Sequence, residues 1–243
     1  MFAPRPRARP DCGAAGPLGV AGEREVTTPA EAWELVCSAE VFDRWRDNPA
    51  FPPLLTLARI VNSLNFAGLA AADKASQASP SSMRQRINSF MYTGAVIYEA
   101  GKFLERASDQ LGCFHAYRES LLPLFRRPEY KQLLSGQLHA LRNRVVFHFD
   151  HNYVARRAAV GPDGCCVFGR GIGATTGESY WDLADRSALD EVIGGPPSEF
   201  EARYQDVVRR TTELVMGFLR HADEVITEAL DNEEWVGRPA EHA

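Results

Sequence analysis

Apolar residues recur at spacings of three and four along most of this chain, and this helical period constrains its fold more than any other feature. Such spacings place apolar side chains on one face of an α-helix, whereas a half-buried strand needs strict alternation. A first helix is predicted from Pro29 through Trp45, and a second from about Pro53 to Ala75. Because the second helix is apolar almost all round, we expect it at the centre of a helical bundle.

The same period continues through the middle of the chain. A third helix is predicted to open at Ser79-Pro80, as cap and first turn, and to end near Gly112. A short helical piece is expected around residues 117–125. Pro128 then starts a fourth long helix, whose period is carried by Leu134, Leu138, Leu141, Val145 and Phe149.

The fourth helix is expected to fade near Tyr153, and the last helix has the clearest start. Ser198-x-x-Glu201 is a capping box, and an apolar stripe follows it as far as Ala229. This last helix should contain roughly 30 residues and be about 45 Å long. The segments together predict an all-α bundle.

Three segments lack the helical period. Residues 1–28 are rich in Pro, Arg, Gly and Ala, which predicts a disordered leader, and residues 236–243 are expected to form a tail. Residues 158–180 contain a Gly-Pro-Asp-Gly turn at 161–164 between two short β-prone runs. This pattern predicts a small β-hairpin inserted before the C-terminal helices, within a helical domain spanning residues 29–235.

The cysteines and the apolar runs bear on location. The five cysteines are odd in number and two of them, Cys165 and Cys166, are adjacent, which suits neither a disulfide framework nor a zinc site. We therefore expect reduced thiols in a cytoplasmic protein. The richest apolar run, residues 54–72, is interrupted by polar side chains such as Arg59, so it is predicted to be a buried helix rather than a membrane span.

Charge is unevenly distributed along the chain. The net charge of −5 argues against a protein that coats nucleic acid unselectively. Residues 126–157, however, hold seven basic side chains against Glu129 and Asp150, a local charge of +5, and three of the six histidines. A basic, imidazole-bearing face on an acidic body suits a site for one phosphodiester, although a solvated helix face is the plain alternative.

Residues 141–150 read LRNRVVFHFD and carry the strongest functional signal. Arg142 is followed by Asn143 and precedes His148 with five residues between them. This pattern resembles the signature of the HEPN superfamily, in which an Arg, commonly followed by Asn, Asp or His, precedes a His with four to six residues between them, near the end of a long helix. The resemblance covers the helical body from about Leu54 to Leu230 in architecture, and this one segment in residues.

The resemblance implies a bundle in which the paired motifs of two protomers form one metal-independent ribonuclease site. It therefore implies a homodimer, with Arg142, Asn143 and His148 as catalytic residues and no metal or other cofactor. Many members of the family are toxins or antiviral defence proteins, so an antitoxin or a nucleotidyltransferase is the partner that the resemblance implies.

A second pair lies in the same helix. Arg144 precedes His151 with six residues between them, and the His-x-Tyr run that ends at Tyr153 is similar to an extension seen in HEPN toxins paired with a nucleotidyltransferase antitoxin. On a helical wheel this pair lies well off the apolar stripe, whereas Arg142 and His148 flank the stripe by roughly 60° on either side. Polar residues beside a core stripe are costly unless they are paired or used, so we rank Arg142 and His148 first.

The residue types at these positions define the expected chemistry. An imidazole with a pKa of about 6.5 can take a proton from a ribose 2′-hydroxyl or deliver one to the leaving oxygen, and a guanidinium can hold the phosphate. Arg156, Arg157 and Arg170 are expected to contact the RNA. These roles predict a metal-independent endoribonuclease acting in bacterial defence or as a toxin.

Two other interpretations stay open. The chain could be a catalytically silent HEPN-like module that binds RNA, a nucleotide or a protein through the same basic face. It could also be a helical scaffold without chemistry, in which Arg142 pairs with an acidic neighbour.

Overall fold

A computed structural model of the chain describes residues 33–73, 80–147, 170–171, 180–231 and 236–239. These residues are predominantly helical, which confirms the predicted all-α character. The helices are α1 (Ala39–Arg46), α2 (Phe51–Asp73), α3 (Pro80–Arg106), α4 (Ser108–Leu111), α5 (the π-helical turn Tyr117–Leu121 continued by Leu122–Arg126), α6 (Pro128–Leu133 continued by the π-helical turns Leu134–Leu138 and Leu141–Val146), α7 (Asp182–Ile193) and α8 (Phe200–Asp231, preceded by the 3₁₀ turn Pro197–Glu199). The strands are β1 (Trp33–Val36), β2 (Arg170–Gly171), β3 (Tyr180–Trp181) and β4 (Val236–Pro239).

α3 lies at the centre of the described helices, because it contacts α2 and each helix from α4 to α8. Its fully buried residues include Ala95, Ile97, Ala100 and Leu104. Small residues let its neighbours approach closely: a Cβ atom at Gly94 would lie 2.8 Å from Leu141 Cδ1 of α6, and one at Gly101 would lie 2.9 Å from Phe125 Cδ1 of α5. α3 is therefore the element that positions α5 and α6.

α8 provides the second long packing surface. Its buried residues follow the helical period: Val207, Thr211, Leu214, Val215, Phe218, Ala222, Val225 and Ala229. The helix contains 32 residues and begins at Phe200. The prediction of a long final helix with this stripe is confirmed.

The prediction that the second helix lies at the centre of the bundle is wrong. α2 buries one side, where Leu57 and Leu64 are 0% and 2% exposed, but Leu55, Phe66 and Leu69 on the other side are 55%, 71% and 72% exposed. Composition records how apolar a helix is and not how many neighbours cover it. Among the described helices, α2 therefore lies at the edge, with an apolar face that none of the others covers.

The segment Phe51–Ala72 is also long and apolar enough, by length and composition alone, to cross a membrane. The prediction that polar interruptions such as Arg59 rule out a membrane span in this run is therefore wrong by this criterion. Core helices of soluble proteins and signal sequences meet the same criterion, so it does not by itself assign a location.

The predicted first helix, which was to begin at Pro29, is wrong at the first of its residues that the structure describes. Trp33–Val36 forms strand β1, and the helix begins only at Ala39, after the N-cap residue Ser38. The Ser38 hydroxyl oxygen accepts the N–H of Val41 at 3.2 Å, which satisfies a backbone donor at the helix start. Trp and Val favour strands, and a serine cap places the helix start after them.

The strands form two separate pairs. β2 pairs antiparallel with β3, with Arg170 opposite Trp181 and Gly171 opposite Tyr180. The predicted hairpin turn at 161–164 lies outside the described residues, and α7, which follows β3, was not predicted.

β1 pairs with β4, although residues 236–239 were predicted as tail. The sequence did not indicate this pairing because two strands that are distant in sequence leave no local pattern. Residues of this second pair belong to a compact unit distinct from the helical unit Val36–Val236.

Candidate functional site

The carboxyl-terminal part of α6 is fixed against the middle of α3. Leu138 and Leu141 of α6 are fully buried, and both reach into the space left by the missing side chain of Gly94. Val145, one turn after Leu141, is also buried. This packing sets the orientation of Arg142, which directly follows Leu141.

Arg142 contacts Glu99, Asn143 and Phe147. Its Nε lies 2.5 Å from Glu99 Oε1 of α3, and its Nη1 donates to Asn143 Oδ1 at 2.6 Å. The guanidinium carbon also lies 5.7 Å from the centre of the Phe147 ring. The side chains of Arg142 and Glu99 are 28% and 34% exposed, whereas the two atoms in contact are themselves buried, so the ion pair lies at the edge of the core.

The predicted position of Arg142 beside the apolar stripe is confirmed by its partial burial next to Leu141 and Val145. Asn143, which the helical wheel pointed outward, is instead half-buried and turned toward Arg142. The wheel assumed about 100° per residue. The π-helical turn at Leu141–Val146 advances each residue by less than that, so angles derived from the regular wheel do not hold across this segment.

Several of the predicted site residues lie outside the described residues: His148, His151, Tyr153, Arg156 and Arg157. Arg144 is described and half-buried, while Arg170 is described only as part of the backbone of β2. The structure thus brings Arg142 and Asn143 together and gives no geometry for either histidine. Phe147, half exposed, is the last described residue before His148.

A second group of polar and aromatic side chains surrounds Tyr98 of α3. The ring of His139 meets the Tyr98 ring edge to face with 5.6 Å between centroids, and Lys102 Nζ lies 4.7 Å from the Tyr98 centroid. His139 is exposed and precedes Arg142 by three residues, so both lie on one side of α6. The face of α3 and α6 around Glu99 therefore presents an arginine, a lysine and an imidazole.

Sequence reasoning missed Glu99 as the partner of Arg142. Glu99 lies between the buried Tyr98 and Ala100 of α3. A carboxylate at the margin of a core stripe needs a partner, and that was the available signal. The pattern on α3 could not identify which basic residue supplies the partner.

A groove of about 440 Å³ lies elsewhere, lined by residues of α6, α7, α8 and the turn before α8. Ion pairs lie along its wall, with Arg210 Nη1 3.6 Å from Asp206 Oδ2 and Arg203 Nη1 3.8 Å from Glu199 Oε2. Arg142, Asn143 and Arg144, the predicted site residues whose side chains the structure describes, do not line this groove. Among the described residues, no group of three or more His, Cys, Asp or Glu is arranged to hold a metal ion.

Comparison of the chain with protein-family models, curated proteins and solved structures finds no match.

Proposed function

We propose that this protein is a metal-independent endoribonuclease of the HEPN type, acting in bacterial defence or as a toxin. Arg142, Asn143 and His148 form its catalytic motif. The observation that carries the proposal is the state of Arg142: a guanidinium at the edge of the core, fixed by Glu99 and Asn143, at the end of a long helix and six positions before His148.

A fixed guanidinium suits phosphoryl chemistry. A scissile phosphate is bound more tightly by a cation that is already oriented, because orienting a long side chain upon binding costs conformational entropy. Glu99 and Asn143 supply that orientation for Arg142. His148 then takes the proton of the attacking 2′-hydroxyl or protonates the leaving oxygen, and the arginine stabilises the charge that develops on the phosphate.

The same ion pair favours a second candidate, a catalytically silent module that binds RNA or a protein. In that case Glu99 neutralises Arg142 as a structural partner, and binding relies on exposed basic residues of the same region, namely Arg126, Arg127 and Lys131. The two candidates differ in whether bound RNA is cut.

Incubation of the purified full chain with mixed RNA in excess chelator tests the proposal. We expect cleavage that yields 2′,3′-cyclic phosphate ends and that is lost in the His148→Ala protein. RNA that is retained in a filter-binding assay but stays intact would support the silent module instead. RNA that is neither bound nor cut would contradict the ribonuclease and the RNA-binding form of the silent module.

A further inference from the structure

α2 carries a continuous stripe of exposed residues opposite its buried side. We call this stripe the α2 seam, and it consists of Leu55, Arg59, Asn62, Phe66 and Leu69. The positions are spaced by four, three, four and three residues, which is the period of the contact line between two helices packed side by side. On a helical wheel the five positions fall within about 80° of each other, and the buried Leu57 and Leu64 lie roughly opposite them.

Three large apolar side chains of the seam, Leu55, Phe66 and Leu69, expose more than half of their surface. Isolated exposed apolar residues are ordinary, but an ordered stripe of them on one helix marks an interaction surface. The seam lies on α2, which packs on α3 and α8, whereas the segment with Arg142 packs on α3 from α6. The binding partner of the α2 seam can therefore be inferred independently of the proposed catalysis.

The order of residues in the seam is self-complementary under a two-fold axis at Asn62. When two copies of α2 cross antiparallel there, Leu55 of one faces Leu69 of the other, and Asn62 faces Asn62 as an amide pair. Arg59 then lies over the ring of the other copy's Phe66, where the positive guanidinium meets the negative face of the aromatic ring. A buried asparagine pair is also a device that fixes register between two helices.

A parallel pair and a membrane surface suit the seam less well. A parallel two-fold arrangement sets Arg59 against Arg59, which is repulsive. If the seam lay on a bilayer, Arg59 and Asn62 would be buried with the apolar side chains on either side of them, and burying the charge of Arg59 there costs free energy. Only the antiparallel pair gives both polar residues a partner.

From these observations we infer that the α2 seam binds the α2 seam of a second copy of this chain in an antiparallel pair. The seam is about 21 Å long and about 10 Å wide, roughly 210 Å² in projection, which is well below the 800 Å² per partner of a standard interface. Phe42 of α1 extends it, since its half-exposed ring packs edge to face on Phe51 at the start of α2, with 5.9 Å between centroids. The dimer is therefore expected to dissociate at low micromolar concentration and to be populated at tens of micromolar.

Sedimentation equilibrium of the full chain from about 5 to about 200 µM tests the pairing. The average mass should rise with concentration from 26.9 kDa toward twice that value. The double variant Leu55→Glu, Leu69→Glu should weaken association by on the order of a hundredfold or more, because the carboxylates at these two positions would face each other across the pair. Its helix content should be unchanged, since both side chains are exposed.

Thr56→Glu is the matched control, because Thr56 is exposed on the same helix but lies about 100° from Leu55. It should associate like the wild type. Cross-linking tests the register in a background whose five cysteines are replaced by serine. Asn62→Cys should form a disulfide-linked dimer on mild oxidation, whereas Leu55→Cys alone should not, since two copies of residue 55 would be about 21 Å apart. A mixture of Leu55→Cys and Leu69→Cys proteins should link.

A protein that stays at 26.9 kDa throughout the range would overturn the inference. So would association that the Glu double variant leaves intact, or cross-linking of Leu55→Cys to itself. Flotation with vesicles of phosphatidylcholine and phosphatidylglycerol tests the alternative that the seam binds a membrane surface. A monomer whose binding to those vesicles is lost in the double variant would show that the seam faces a membrane and would refute the pair.

Discussion

The side chain of Arg142 has its orientation set by a residue of another helix. Glu99 binds its Nε from α3, while Asn143 binds its Nη1 from the adjacent position. If the guanidinium acts on a phosphate, Glu99 is a positioning residue that never touches RNA. Loss of its charge should then affect catalysis without affecting the fold.

Glu99→Gln is expected to lower the cleavage rate about tenfold to a hundredfold, because a guanidinium that is free to turn loses its alignment with the phosphate. The loss should appear in kcat more than in KM. Glu105→Gln, an exposed change on the same helix, is the control and should cleave like the wild type. Faster cleavage by Glu99→Gln would mean that the ion pair restrains the site.

The sequence predicted part of this site and could not predict the rest. Arg142 was expected at the margin of the core because it flanks the apolar stripe of its own helix, which can be read from local spacing. The structure places Arg142 there. Glu99 was not identified, since nothing near either residue encodes a contact between α3 and α6. The orientation of Asn143 was predicted wrongly because the π-helical turn changes the angle per residue, and no rule of spacing signals such a turn.

At the scale of elements, the approach of α3 to α6 depends on Gly94. Gly94→Ala should destabilise the protein by about 1–2 kcal/mol, because the new methyl group would meet Leu141 Cδ1 at 2.8 Å and Leu138 Cδ2 at 3.1 Å in a filled core. The helix propensity of alanine, about 1 kcal/mol better than glycine, offsets only part of this strain.

Gly68→Ala provides the comparison for Gly94→Ala. A Cβ at Gly68 would meet nothing within 4 Å on α2, so alanine there should stabilise by up to about 1 kcal/mol. Urea denaturation of both proteins measures the difference. Equal stability changes in the two variants would contradict the close approach of α6 to α3.

A carboxylate of α8 joins that helix to the residues just before α5. Glu228 accepts the N–H of His115 at 2.7 Å through Oε1 and the N–H of Ala116 at 2.8 Å through Oε2. Partial desolvation raises its pKa, but these two hydrogen bonds, with nearby positive charge, bring the pKa below its ordinary value of 4.5. A carboxyl group with a lowered folded pKa adds stability above its unfolded pKa, and that stability is lost as the pH falls through the folded pKa.

Glu228→Gln should therefore melt at a lower temperature than the wild type at neutral pH, and the gap should close as the pH falls from about 5 to about 3. Asp223→Asn, an exposed change on the same helix, should not show this pattern. Melting temperatures across that pH range provide the measurement. A gap that stays constant down to pH of about 3 would show that the hydrogen bonds do not depend on the charge.

The helices were largely predictable from the sequence wherever a long apolar stripe kept the helical period throughout. α3, α6 and α8 follow their predicted starts closely, because proline at a first turn and three- and four-residue spacings are local signals. β1 and β4 were missed, since their pairing joins distant segments. The location of α2 was wrong because apolar composition alone does not distinguish a helix in the core from one with an uncovered face.

At the scale of the whole molecule, the resemblance that suggested the motif places one site across two protomers. Mixing tests this arrangement without any assumption about which surface forms the dimer. In an equal mixture of Arg142→Ala and His148→Ala proteins, about half of the dimers should be mixed, and each would keep one intact site of two. Activity should return to about a quarter of the wild-type value, although each parent protein is inactive.

Mixtures that remain as inactive as the parent proteins, under conditions where exchange of protomers is verified, would show that both residues act within one chain. The Leu55→Glu, Leu69→Glu background adds a control. If the α2 seam forms the dimer that shares the site, activity should not return in that background.

The most direct test of the proposed function compares two pairs of variants in one assay. RNA cleavage in excess chelator is measured for Arg142→Ala, His148→Ala and the double variant Arg144→Ala, His151→Ala. We predict losses of on the order of a hundredfold or more for each of the first two, with folded protein in every case, and near wild-type cleavage for the third. Abolished cleavage in the third with normal cleavage by His148→Ala would assign catalysis to Arg144 and His151, and wild-type protein that cuts no RNA would contradict the ribonuclease itself.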